Sequence, residues 1–293
     1  MSILEELSDG GIDAAIDGAA KSPPARTLTR ALLILQIVAL HDGEPLSLAK
    51  IARKSGLPKP TVHRLVGVLR DAGMLQRDEE GCYLPGPMLL VMGTNYLRRI
   101  RLREASRTVL LRLHRVTSQA VYLGVPQNPW VVNIARIEST DQARVTDYVG
   151  SLNPQHTTAA GKVLLAFGDS DGVRSVLRSG LTAKTPRSIA NGDALMQELE
   201  QVFESGFATE IEENEQGVIS VAAPVFNHTR RAIGAIGISA PETHATKLMI
   251  RNWTAEVMAA SQRISTDLGW SGIAYGFLGN RKSDMRGTMR TVS

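Results

Sequence analysis

The side chains whose types and spacing suit chemistry are concentrated between Ser47 and Arg77. That stretch holds seven basic residues (Lys50, Arg53, Lys54, Lys59, Arg64, Arg70 and Arg77) against one acid, Asp71, a local net of +6. Lys59, Thr61, His63, Arg64, Gly67 and Arg70 fall on the side of a helical repeat that its apolar residues leave open. Arginine grips a guanine edge or a phosphate with two donors, lysine neutralises phosphate, and threonine and histidine make single hydrogen bonds. Ser47, one turn ahead of Lys50, and Arg77, beyond the helix, complete the candidate set. The chemistry implied is contact with a polyanion, double-stranded DNA first.

Two short helices must position these groups. Ser47 is placed to cap the first, since its hydroxyl accepts from a first-turn N–H. Leu48, Ile51 and Ala52 supply an apolar face at i, i+3, i+4, and Gly56 stops the helix. Leu57 and Pro58 turn the chain, and Pro60 falls in the first turn of a second helix, where proline is tolerated. Its buried stripe is Val62, Leu65, Val66 and Leu69, and Gly73 ends it. The pair spells helix-turn-helix. Met74-Leu75-Gln76 and Cys82-Tyr83-Leu84, around the turn Asp78-Glu79-Glu80-Gly81, predict a hairpin wing. The bland alternative is an αα-hairpin inside another helical domain; the basic bias and the wing count against it. Thr27 to Leu40 predicts the preceding helix, with Leu28, Leu32, Leu35 and Ala39 facing the core and Ala31 and Val38 beside them.

The totals bound the rest. A chain of 293 residues favours two domains. With 43% hydrophobic and 21% charged residues the composition is that of a globular protein, and the 4% of aromatics leaves its cores mostly aliphatic. One cysteine, Cys82, precludes an intrachain disulfide and suits a reducing cytoplasm. No apolar run is long enough to span a membrane, and the N-terminus lacks a signal-peptide layout. Residues 1–25 carry five acids against Lys21 and predict a mobile acidic tail; residues 270–293 predict a second disordered tail.

Between the two domains, residues 87–117 predict linker helices. Met88 to Met92, then Tyr96, Leu97 and Ile100, are too apolar to face water on every side. Such a helix either connects and contacts a second copy or is buried in its own chain. Residues 118–269 alternate strands and helices: strands at Ala120–Val125, Val131–Ile137, Arg144–Val149, Phe207–Ile211, Val218–Phe226 and Ala232–Ser239, with helices at Ala159–Phe167, Gly172–Ser179, Asp193–Ser205 and His244–Leu268. Strands in adjacent hairpins with helices in blocks predict α+β with an antiparallel sheet. Enzyme signatures are missing. There is no nucleophile elbow and no His-Glu-x-x-His, the Gly161-Lys162 pair lacks the rest of a phosphate loop, and the six histidines show no metal-ligand spacing, so neither cofactor nor metal is implied.

Three stretches together resemble the IclR-type (isocitrate lyase regulator) family of transcription factors. They are Ser55-Gly-Leu-Pro-Lys-Pro-Thr-Val-His-Arg-Leu65, then His156-Thr-Thr-Ala-Ala-Gly-Lys-Val-Leu-Leu-Ala166, and Gly206-Phe-Ala208 with Gly217 through Phe226. The resemblance covers about residues 27–269. It implies a winged helix-turn-helix over residues 26–86, the linker, and a GAF-like effector-binding domain over residues 118–269. It also implies dimers, often paired into tetramers, on an inverted-repeat operator, and a small carboxylic-acid effector, commonly from catabolism. Thr158, Ala159 and Ala160 open a helix, where free N–H groups suit a carboxylate. The family pattern places Glu210, Ser220 and Ser239 around the same cavity. Three positions depart from it: Pro60 stands where serine is more frequent, Glu210 where aspartate is usual, and Ser220 where cysteine is common. The last two imply a more polar pocket and a ligand with a hydroxyl or second polar group besides its carboxylate, hydroxyaromatic acids ranking ahead of 2-oxo acids; the alternative is that Ser220 and Ser239 satisfy backbone groups in the core. The alternatives are an enzyme whose α+β domain is catalytic and a DNA-binding regulator with a protein input.

Overall fold

A computed structural model describes residues 23–41, 44–139 and 148–272. The chain forms two compact units that divide between Arg99 and Ile100. In the first, α1 (Pro23–Ala39), α2 (Leu48–Ser55) and α3 (Lys59–Asp71) precede a two-stranded antiparallel hairpin, β1 (Leu75–Arg77) with β2 (Tyr83–Pro85), and α4 (Pro87–Arg99) follows. The local rules act as the sequence implies. Ser47 Oγ accepts from the Lys50 N–H at 3.3 Å, and Gly56 closes α2 at φ 64°. Val62, Leu65, Val66 and Leu69 are the buried residues of α3. Leu46 and Tyr83 exchange backbone hydrogen bonds of 2.9 and 2.8 Å, which ties the residue before the α2 cap to the wing.

Helix α1 differs from expectation. It begins at Pro23, because proline is preorganised for a helix's first turn, and it buries Ile34, Ile37 and Val38. Leu28 and Leu32, expected in the core, are 62% and 49% exposed. From Ala31 to Ala39 only Gln36 is polar, so the periodicity there does not single out the face that α2 and α3 cover.

The second unit is built on a six-stranded antiparallel sheet. Its strands are β3 (Ala120–Gln127), β4 (Trp130–Ile137), β5 (Leu152–Pro154), β6 (Ala208–Ile211), β7 (Val218–Phe226) and β8 (Ala232–Pro241), in spatial order β5-β4-β3-β8-β7-β6. The helices are α5 (Arg101–Thr117), α6 (Ala159–Ala166), α7 (Ser170–Ser179), α8 (Gly192–Ser205) and α9 (Lys247–Asp267). Helices α5 and α9 cover one face of the sheet, and α6 packs on β7 and β8 and against α8 on the other. Most of the strand expected at Arg144–Val149 lies outside the described residues; Tyr148 and Val149 are not in a strand, and the short strand comes at Leu152–Pro154. Residues 1–22 and 273–293, which hold most of both expected tails, also lie outside the described residues. Among the described residues no helix is long and apolar enough to cross a membrane.

The start of α6 is set by a close approach. A Cβ at Gly161 would lie 2.2 Å from the Gln155 carbonyl oxygen and 2.3 Å from its Cα. Gly161→Ala must therefore move backbone, at a cost of about 1–3 kcal/mol. A lowered denaturant midpoint is expected; an unchanged midpoint would show that the preceding loop yields freely.

Candidate nucleic-acid interface and ligand cavity

On the first unit, Lys50, Lys59, His63, Arg64 and Arg70 are exposed and Thr61 is half-buried. Ser47 is half-buried and its hydroxyl is occupied as the α2 cap, so it acts first on the helix. Arg70 pairs with Asp71 at 3.2 Å, an exposed pair that stabilises little. Arg77 is folded back along the wing: its Nε donates to the Gly81 carbonyl at 3.0 Å, and its guanidinium carbon lies 5.8 Å from the Tyr83 ring centre. Gly81 makes that possible, since a Cβ there would lie 2.6 Å from Arg77 Nη2. One residue of the open face was not among the sequence candidates. Val68 is 60% exposed, one turn beyond Arg64, where an apolar side chain suits a thymine methyl. Its place off the buried stripe was the available signal.

In the second unit a polar cavity opens between α6 and the sheet. Thr158, Ala160, Glu210, Ser220 and Ser239 all line it. Three of them form one row, with Glu210 opposite Ser220 on β6–β7 and Ser220 opposite Ser239 on β7–β8. Thr158 caps α6 by accepting from the Gly161 N–H at 3.1 Å, which leaves the Ala159 and Ala160 N–H groups without an intrahelical acceptor. Ala159, in contrast to Ala160, is not a lining residue; its side chain is fully buried in the apolar core beneath α6.

Tyr122, Asn133, Asn153, Asn214 and Glu215 also line the cavity and escaped the sequence reading. Asn133 is a polar residue within an apolar strand, a signal that could have been used. Tyr122 lies across Gly237, where a Cβ would come within 2.4 Å of its ring. Its hydroxyl meets Ser220 Oγ at 2.7 Å, and Ser220 Oγ donates to the Ile238 carbonyl at 2.9 Å, so the tyrosine is the donor of the first bond. Asn214 ties the wall together. Its N–H donates to Glu210 Oε1 at 3.2 Å, its Nδ2 to Asn153 Oδ1 at 3.3 Å, and its Oδ1 accepts from Thr157 Oγ1 at 3.0 Å. The free volume inside is about 30 Å³, room for about two water molecules.

Behind the cavity, Lys162 is buried with its ammonium 2.8 Å from Glu198 Oε1 and 2.8 and 3.1 Å from the two Glu213 oxygens. Burial pushes the Glu213 carboxyl above its ordinary range, and Lys162 pulls it only part of the way back. His156 is buried too, with Nε2 3.0 Å from the Thr182 carbonyl. Burial lowers its pKa, and Nε2, facing a carbonyl oxygen, carries the donated proton.

A basic winged helix-turn-helix joined in one chain to an antiparallel-sheet unit defines a DNA-binding transcription regulator. The model of the IclR helix-turn-helix domain matches residues 27–79, and that of the bacterial transcriptional regulator IclR C-terminal domain matches residues 94–266. The chain belongs to the IclR family of transcriptional regulators. It is 33% identical over 250 residues to the HTH-type transcriptional regulator XynR of Escherichia coli, covering 85% of this chain and 99% of the relative. The crystal structure of a family member from Silicibacter sp. TM1040 matches with a TM-score of 0.74 at 28% identity, over 84% of this chain and 97% of that one. An IclR homolog of Microbacterium hydrocarbonoxydans, solved with 4-hydroxybenzoate, shares the fold with a TM-score of 0.69 at 22% identity, over 83% and 98% of the two chains. The curated relatives are regulators and not enzymes, which sets aside a catalytic α+β domain.

The buried histidine gives stability a pH dependence. His156 has a folded pKa below its ordinary 6.5, so the unfolded chain takes up its proton first. The stability is fully present above that value and is lost as pH falls through the lowered one. The melting temperature should therefore drop below about pH 6.5, and less so in His156→Gln. Equal slopes for both proteins would assign the effect to another group.

Proposed function

We propose that this regulator binds an inverted-repeat operator as a dimer or a dimer of dimers, in the cytoplasm, and that a small carboxylic acid in the cavity of the second unit modulates the binding. Control of a catabolic operon is the role this reading assigns. The observation that carries it is the row of Glu210, Ser220 and Ser239 beside the first turn of α6: converging polar groups in an otherwise apolar layer. Ala160, at that turn, lets a ligand approach the backbone. Entry of an acid requires the side chains, or the segment between β6 and β7, to move. Self-association is supported by α4, where Leu90, Val91, Met92 and Tyr96 are 73%, 50%, 51% and 58% exposed, and by Leu28 and Leu32 of α1. Apolar surface of that extent marks a contact with another chain, and a two-fold protein pairs with a two-fold operator.

On the DNA side, Lys59, Thr61, His63 and Arg64 enter the major groove and Arg77 of the wing meets the backbone or minor groove. Gel shifts with the protein's own upstream region test this. Arg64→Ala should lose about 1–3 kcal/mol of operator binding, base-selectively. Lys50→Ala should weaken all sequences alike and reduce the salt slope by about one unit. Operator binding by Arg64→Ala equal to that of the unmodified protein would remove α3 as the reading helix. On the effector side, thermal-shift titrations use 4-hydroxybenzoate and pyruvate as probes, on the unmodified protein, Glu210→Gln and Ser220→Ala. Stabilisation that grows with ligand concentration and weakens in the variants is expected; equal responses in all three proteins would take both residues out of the site.

A further inference from the structure

The cavity has an electrostatic difficulty for an acid. Two of its lining residues, Glu210 and Glu215, are themselves acids. A ligand carboxylate beside them is repelled unless a counter-charge is near. The α6 N-terminus offers only a fractional positive charge. A whole one stands on the same side of the sheet. Arg136, on β4, is directly opposite Tyr122 on β3. Residues directly opposite in an antiparallel pair share a face, and Tyr122 lines the cavity. Asn133, earlier on the same strand, lines it as well.

The guanidinium of Arg136 is incompletely satisfied. The residue as a whole is half-buried, through its main chain, but the side chain is only 2% exposed. Nε donates to Glu138 Oε1 at 2.7 Å, while Nη1 and Nη2 are buried without a hydrogen-bond partner. Among the described residues no other lysine or arginine has buried side-chain nitrogens in that condition. Leaving such donors unpaired away from water is costly, and Glu138, whose side chain is 59% exposed, does not neutralise the far edge. That edge is a planar pair of N–H donors, the shape that takes a carboxylate through two parallel bonds.

We propose that Arg136 holds the carboxylate of the effector through Nη1 and Nη2, and that the Glu210–Ser220–Ser239 row reads a hydroxyl on the same ligand. The inference rests on the effector reading above and deepens it: the ligand class is a hydroxy acid with its anionic end toward β4. Arg136 is not itself a lining residue; turning toward the ligand past Tyr122, it supplies the counter-charge that allows an acid into a cavity lined by acids, and the α6 N–H groups assist. Without ligand the arginine is a liability, so its removal should not harm the fold.

The test uses the full chain with 4-hydroxybenzoate, lactate and pyruvate, and with the corresponding amides, read by thermal shift and calorimetry. The proteins are the unmodified chain, Arg136→Gln, Arg136→Lys and Ser220→Ala. For an acid that stabilises the unmodified protein, Arg136→Gln should weaken binding on the order of tenfold or more. Arg136→Lys should recover part of the loss, and binding of the amide should be the same in Arg136→Gln as in the unmodified protein. Ligand-free Arg136→Gln should melt at the unmodified temperature or above it. Acid binding that survives Arg136→Gln but is weakened in Ser220→Ala overturns the assignment and keeps the cavity. No shift from any acid or amide overturns the cavity reading and this inference with it. A ligand-free melting temperature several degrees lower in Arg136→Gln makes the arginine structural and also overturns the assignment.

Discussion

The geometry of the second unit's cavity depends on one buried cation. Lys162 is inside α6, Glu198 on α8 and Glu213 between β6 and β7, and the ammonium bonds both carboxylates. Three elements far apart in sequence are thereby fixed to one point. Removing one partner of such a cluster would strand a buried charge, at a cost of about 3–5 kcal/mol. The tie orders what comes next to it. Asn214 follows Glu213 and makes the bonds to Glu210, Asn153 and Thr157 that form the cavity wall. The Gly161-Lys162 pair, which superficially suggests a phosphate loop, has an opposite use: the glycine lets α6 press on Gln155, and the lysine turns inward to carboxylates.

The first unit divides its labour between the two sides of α3. The inner stripe anchors the helix in an aliphatic core that α1, α2 and the wing complete. The outer side keeps its basic residues in water, where their attraction to a polyanion is long-ranged and costs no burial. The wing does not hang loose from this arrangement, because Leu46 and Tyr83 pair across it. Arg77, folded onto Gly81 and Tyr83, is consequently held in a restricted set of orientations.

How much of this was legible follows from the range of each interaction. The α3 stripe was readable because Val62, Leu65, Val66 and Leu69 are the helix's buried set with a clear 3.6-residue period. The α1 face was not, since apolar residues surround the second half of that helix and only its neighbours choose among them. Strands β7 and β8 were visible as β-rich runs around a hairpin loop, and the α+β class followed. The β5 strand is three residues long and carries no periodic signal. The resemblance brought Thr158, Ala160, Glu210, Ser220 and Ser239 to one cavity, but not their alignment, which depends on registers that composition does not encode. The side chain of Ala159 packs in the core for a rotational reason, while its N–H stays at the start of α6. Adjacent helical side chains point about 100° apart, and here it is Ala160 whose side chain lines the cavity. Arg136 reads in the sequence as one more surface charge; its burial and its two unpartnered nitrogens exist only in three dimensions.

Ser220 shows how a departure from the family pattern is absorbed. Its one proton goes to the Ile238 carbonyl, and it accepts from Tyr122. A thiol there would be a weaker and longer partner on both sides. The hydroxyl thus fixes a tyrosine 98 residues away in sequence, and Gly237 provides the floor on which that ring lies. The serine therefore shapes the cavity through the position of Tyr122 as much as through any bond of its own to a ligand. The same ring is the register neighbour of Arg136. A substitution at Ser220 should accordingly be felt twice, on the Glu210–Ser220–Ser239 row itself and on the tyrosine that pairs in register with Arg136.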